Sequence, residues 1–235
     1  MTTTIHLAPT APLAERVLTP GDPGRALLLA QSLLREPRMF NHNRGLWGYT
    51  GEALDGELLT IQSTGMGGPS AAIVLSELAD LGARRIVRVG TCGAFDQTLA
   101  LGELIAATAA IAADGTSRAL GAGERIVPDE DLTAALTSGG RARAAVVVST
   151  DLFYDEREAL EDEWIRAGAA AVEMESATLF ALGAARSLRT ASLLIVSDLV
   201  RPTRARIGAD ELREAELRLG ETALSALATA AAPAD

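Results

Sequence analysis

An α/β fold layered on a central sheet is the class this sequence predicts, on three observations. β-rich apolar stretches alternate with alanine- and leucine-rich stretches of helical period. The 235 residues suffice to bury one sizeable core without requiring a second. No internal repeat, Gly/Ser or Pro linker, or block of like charge breaks the alternation, so a single domain over 1–235 is expected.

Strands are predicted where β-branched and apolar residues cluster between turn signals: 16–19, 47–53, 58–64, 85–90, 103–111, 144–150 and 191–197. A helix is predicted to begin near Gly24, after a Pro/Gly turn. Pro69 and Ser70 open another, in which Val74, Leu78 and Leu81 recur at helical spacing. A third runs from near Met174 to about Ser187. The last starts at Asp210, places Leu212, Leu219, Ala223 and Leu227 on one face, and frays over 230–235. The least patterned stretch, 112–143, reads as surface loops around one short helix.

Composition excludes several classes of function. A net charge of −10 is a poor basis for holding nucleic acid, and 3% aromatic residues offer little for stacking bases. No apolar run approaches the roughly 20 residues of a membrane span. The first residues lack a secretory leader, so a cytoplasmic protein is expected. Cys92 is the single cysteine and there are two histidines, which argues against a disulfide or a metal site. His42 is expected at the surface.

Polar residues that packing does not require collect at four places. In 18–25 (LTPGDPGR) a strand enters a turn and a helix start, where main-chain N–H groups and Arg25 suit an anion. In 63–72 (STGMGGPSAA) three glycines bring the main chain close to a ligand, without the spacing of a Walker loop or a dinucleotide fingerprint. In 86–93 (IVRVGTCG) an arginine stands inside an apolar strand before a glycine-bracketed turn. A buried arginine needs a partner, so Arg88, with the hydroxyl of Thr91 nearby, is predicted to meet an anion. Cys92 reads as a packed turn residue. In 171–176 (AVEMES) and 195–200 (IVSDLV), Glu173, Glu175 and Asp198 place carboxylates at strand ends, where they suit sugar hydroxyls and general acid chemistry.

Together the motifs PGDPGR, GMGGPS, RVGTCG and VEMES, in this order over nearly the whole chain, resemble the nucleoside phosphorylase family of purine nucleoside and uridine phosphorylases. The resemblance implies a single-domain three-layer α/β/α fold with a mixed, partly barrel-like sheet flanked by helices. It implies reversible phosphorolysis of a nucleoside to free base and pentose 1-phosphate, with inorganic phosphate as co-substrate and no other cofactor. Gly21, Arg25, Arg44, Arg88 and Thr91 are then the phosphate ligands. His6, Met174 and Glu175 hold the ribose. Phe153, Val172, Glu173, Ser197 and Asp198 surround the base, and Asp198 hydrogen-bonds or protonates the leaving purine. Arg44 and His6 are implied to reach into a neighbouring subunit's site, in a homo-oligomer of dimers assembling into a hexamer.

Purine is the base favoured by the resemblance, since 149–156 matches the purine branch and no Gln-x-Arg pair of the uridine type is present. An arginine assisting the acid is expected among Arg201, Arg204, Arg206 and Arg213. Alternatives are a uridine or broad-specificity phosphorylase, a nucleosidase, which would not need the phosphate arginines, and a non-catalytic nucleoside sensor, which would not need Asp198. A dehydrogenase would need the missing glycine fingerprint.

Overall fold

A computed structural model describes residues 4–157 and 159–230. Its strands and helices run β1 (Arg16–Thr19), α1 (Pro23–Leu33), β2 (Leu34–Asn41), β3 (Gly48–Ala53), β4 (Leu58–Gln62), α2 (Gly68–Leu81), β5 (Arg85–Ala94), β6 (Leu104–Ala112) and α3 (Gly115–Ala119). They continue through β7 (Arg125–Ile126), α4 (Glu130–Thr137), β8 (Arg143–Ser149), α5 (Leu160–Arg166), β9 (Ala171–Glu173), α6 (Ser176–Arg186), β10 (Arg189–Leu199), β11 (Ala205–Arg206) and α7 (Ala209–Thr229).

Five strands close into a ring. β10 pairs parallel with β5 and antiparallel with β6, β6 and β9 pair parallel with β8, and β9 pairs antiparallel with β5. From β5 the sheet continues outward through β1, β4, β3 and β2. This is the mixed, partly barrel-like sheet of the resemblance.

Alternation along the strands separates two cores, giving the three layers. Val87 and Val89 of β5 pack with Leu29 and Leu33 of α1 and Leu219 and Leu227 of α7. Ile86 and Cys92, on the other face, join Val74 and Leu78 of α2 and Leu179 and Phe180 of α6. Arg88 and Gly90 belong by the same period to the α6 side, and this orients the arginine toward the site.

Several elements depart from the sequence reading. β2 has five consecutive exposed residues, a bulge between Arg35 and Arg38, and Pro37 within it, so it shows no apolar alternation. β5 does not turn at Gly90 but runs on to Ala94, because Thr91 and Cys92 pair with β10 and Gly93 pairs with both β10 and β9. Cys92 is thus a buried strand residue. The stretch 112–143 holds two helices and a short strand. Asp114 caps α3 and Asp129 caps α4, whose Leu132 and Leu136 enter the first core. The predicted final helix is α7, and residues 231–235 of its expected frayed end lie outside the described residues.

Candidate active site

Strand pairing brings the distant motifs together. Thr19 at the end of β1 lies opposite Arg88 of β5, and Ser192 of β10 lies opposite it on the other side. The turn after β1, the middle of β5, the end of β9 and the end of β10 therefore share one mouth. A pocket of about 930 Å³ opens there, lined by Gly21, Arg25, Arg88, Thr91, Phe153, Val172, Glu173, Met174, Glu175, Ser197 and Asp198.

At one end, Arg25 projects from the first turn of α1. Its Nε donates to Glu216 of α7 at 2.8 Å and its Nη1 to the Val89 carbonyl at 3.3 Å, with little of either charged side chain exposed. The helix start is not a free anion cradle. Asp22 caps it, accepting from the N–H groups of Gly24 and Arg25 at 2.8 and 3.2 Å. Gly21, which lines the pocket, also makes a close approach: a Cβ there would sit 3.0 Å from the Gly65 carbonyl oxygen. The glycines of the second motif are likewise spent internally, since Gly65 N–H donates to Gly21 O and Gly67 N–H to the Glu175 carboxylate.

Arg88 meets two carboxylates. Its Nε lies 3.0 Å from Glu173 Oε2 and its Nη2 2.5 Å from Glu175 Oε2. The three side chains are almost wholly buried, at 7%, 0% and 7% exposure, so neither charge could stand without the other. Burial works against the charge on Arg88, but Glu175 and Glu173 outweigh it and raise its pKa above the ordinary arginine value. Glu175 is pushed up, by burial first and by the negative charge of Glu173, against the opposing pull of Arg88. The arginine's side chain folds over Gly90, where a Cβ would come within 2.7 Å of Nη2.

At the other end stands Asp198. A register shift between Val196 and Asp198 in β10 inserts Ser197 as an extra residue, so two consecutive side chains reach the pocket. Ser197 Oγ lies 2.9 Å from Asp198 Oδ2 and 3.2 Å from the Cys92 carbonyl oxygen. Asp198 Oδ1 faces Nε of Arg206 at 3.1 Å and Nε of Arg204 at 3.4 Å. Of the four candidate arginines these two reach the acid. Arg201 pairs with Glu161 and Asp162, and Arg213 is exposed on α7.

Aromatic groups line the outer wall. Phe153 is half-exposed, packs edge-on against Tyr154 and lies under the Arg204 guanidinium at 5.3 Å from its ring centre. Phe95 and Trp164 form a second tilted pair at 6.1 Å. Cys92 also lines the pocket, but burial, chiefly, with Glu173 raises its thiol pKa far above the ordinary range, so it is a packing group there.

Two residues expected at the site lie outside the pocket. His6 Nδ1 is 2.8 Å from Glu77 of α2, and Arg44 is exposed on a 3-10 turn in the left-handed conformation, φ 58°. His42 is exposed, as expected. The sequence reading passed over Glu216, Ser149, Phe95 and Trp164. Glu216 carries no local signal, because it meets Arg25 across 191 residues of chain.

The chain is similar to known proteins over most of its length. A purine nucleoside phosphorylase of the DeoD type from Geobacillus kaustophilus is 36% identical over 203 residues, 83% of this chain and 85% of the relative. A guanosine phosphorylase from Halorubrum lacusprofundi is 36% identical over 188 residues, 77% of each chain. Among solved structures, a uridine phosphorylase from Vibrio fischeri superposes with a TM-score of 0.83 at 28% identity, covering 93% of both chains. The family pattern of the phosphorylase superfamily matches residues 15–232. The chain therefore belongs to the phosphorylase superfamily.

Proposed function

We propose that this protein is a purine nucleoside phosphorylase, transferring the pentose of a purine nucleoside from the base to inorganic phosphate. One observation carries the reading: two buried arginines, Arg25 and Arg88, a buried glutamate, Glu175, and a strand-end aspartate, Asp198, converge on one pocket of about 930 Å³. Phosphate binds at the arginine end with Gly21 and Thr91 and presents an oxygen to the anomeric carbon. Its negative charge lies where the sugar becomes positive, as in oxocarbenium-like glycosyl transfer. Glu175 and Met174 hold the ribose. Asp198, set by Ser197 and Arg206, donates to the leaving base, so the base does not depart as a bare anion.

The site completes itself across a subunit contact. Arg44 and His6 stand outside the pocket of their own chain, and exposed apolar side chains, among them Met39, Trp47 and Ile73, occur beside that turn and on α2. A partner seated there would supply both residues, within a homo-oligomer of dimers. Cytoplasmic residence fits the reading, and among the described residues no helix is long and apolar enough to cross a membrane.

Incubation with inosine, adenosine, guanosine and uridine, each with and without phosphate, tests the proposal. Turnover that requires phosphate and prefers a purine nucleoside supports it. Turnover indifferent to phosphate overturns the phosphorylase, and preference for uridine, the second reading favoured by the solved uridine phosphorylase, overturns the purine assignment.

A further inference from the structure

We propose that Glu173 is a positioning residue, which sets the guanidinium of Arg88 for the anion and does not read the base. The inference rests on the phosphorylase reading and deepens it. Both carboxylate oxygens of Glu173 are occupied from within the protein. Oε2 accepts from Arg88 Nε at 3.0 Å and from the Glu175 N–H at 2.9 Å. The Ser176 N–H lies 3.0 and 2.9 Å from Oε1 and Oε2, and the Ser149 hydroxyl contacts Oε1. A carboxylate offers about four acceptor directions, and these four donors take them. With the side chain fully buried, nothing remains to face a nucleobase.

The four donors also explain how the carboxylate is fixed. Two are main-chain groups at the start of α6, and the serine at the end of β8 itself accepts from the Ala177 N–H at 2.8 Å. Glu173 is thereby fastened to β8, β9 and α6 together, and pinning Arg88 Nε to it sets the plane of the guanidinium. The terminal nitrogens are left for Glu175 and the anion. Without Glu173 the arginine would keep only Glu175, the group whose oxygens the ribose also needs.

The test uses full-length Glu173→Gln and Ser149→Ala proteins, with KM for phosphate, KM for inosine, base preference and Tm measured on each. Glu173→Gln is expected to raise the phosphate KM about tenfold or more while the inosine KM changes by less than about threefold and base preference is unchanged. Ser149→Ala leaves the arginine bond in place and removes one anchor, so it is expected to raise the phosphate KM by about threefold or more. It decides the matter if Glu173→Gln does not fold. A phosphate KM within about twofold of wild type in every folded variant, with only Tm lowered, would make Glu173 a helix cap and overturn the inference. A change in inosine KM or base preference that spares the phosphate KM would make it a base reader and overturn the inference equally. A wild-type protein active without phosphate would refute the phosphorylase reading itself, and this inference with it.

Discussion

Asp198 and Arg206 face each other across the β10–β11 ladder as registered cross-strand neighbours, and the carboxylate Oδ1 lies 3.1 Å from the guanidinium Nε. The carboxylate is thus held by a strand partner and not by a loop, which restricts its orientation. Arg204 is the looser neighbour, divided between Asp198 at 3.4 Å and the face of Phe153.

Removal of the acid tests its role directly. Asp198→Asn is expected to lower kcat by about a hundredfold to ten-thousandfold with a small change in the phosphate KM, by steady-state kinetics. Arg206→Ala is expected to lower kcat more than Arg204→Ala, because the first loses the closer contact. Equal effects on both would disconnect the ladder geometry from the chemistry.

Gly90 tests the space above the strand. A methyl group there would lie 2.7 Å from Arg88 Nη2 and 3.0 Å from Leu194 Cδ2, and the arginine is the neighbour able to yield. Gly90→Ala is therefore expected to raise the phosphate KM about tenfold or more while the far-ultraviolet circular dichroism spectrum stays that of the wild type.

Glu175 makes a prediction about pH. Its carboxyl is raised above the ordinary 4.5 in the folded protein, so between that value and its folded pKa the native state holds a proton that the unfolded chain releases. The stabilisation from this group is full below pH 4.5 and is lost as pH rises through the folded value. The Tm of wild type minus that of Glu175→Gln is therefore expected to fall with increasing pH across this window. A difference that rises with pH would contradict the raised pKa.

Sharing of the site between subunits predicts complementation. Arg44→Ala and Glu175→Ala proteins are each expected to be inactive, and co-assembly through a two-fold contact restores about a quarter of the sites. Mixtures that stay inactive after denaturation and refolding together would confine each site to one chain.

Gly220 tests packing away from the site. A Cβ on this residue of α7 would come within 2.5 Å of Leu29 Cδ2 and 3.1 Å of Leu33 Cδ1, both in the sealed core beneath α1. Gly220→Ala is expected to cost about 1–3 kcal/mol through overpacking, read as a fall in Tm, with KM values unchanged.

What the sequence made legible was whatever a short stretch must contain by itself. An arginine among Ile86, Val87 and Val89 announces a buried counter-charge, and Gly90 two residues on makes room for its side chain. Apolar runs located four of the five ring strands, β5, β6, β8 and β10. The partners were not legible where the fold supplies them from a distance. Arg88 meets Glu173 across 85 residues, so local reading gave the anion's presence and not its identity, which in this structure is two carboxylates. The anion cradle inferred at the start of α1 is instead filled by Asp22, two residues before the N–H group it caps. β9 and β11, of three and two residues, are too short for any alternation, yet they position Glu173 and Arg206.

Closure of the ring through the β10–β5 pairing has a dynamic outcome. Val89 and Leu193 are register partners, and each lies in a strand bonded to neighbours on both sides, so neither can fray from an open edge. Their amides are expected to exchange with heavy water at the rate of global unfolding, while the amides of 152–157 and 201–204 exchange through local opening. The arginine end of the cleft is then expected to stay closed to exchange, and the opening that admits a ligand is expected at the aromatic rim, where the same measurement reads it.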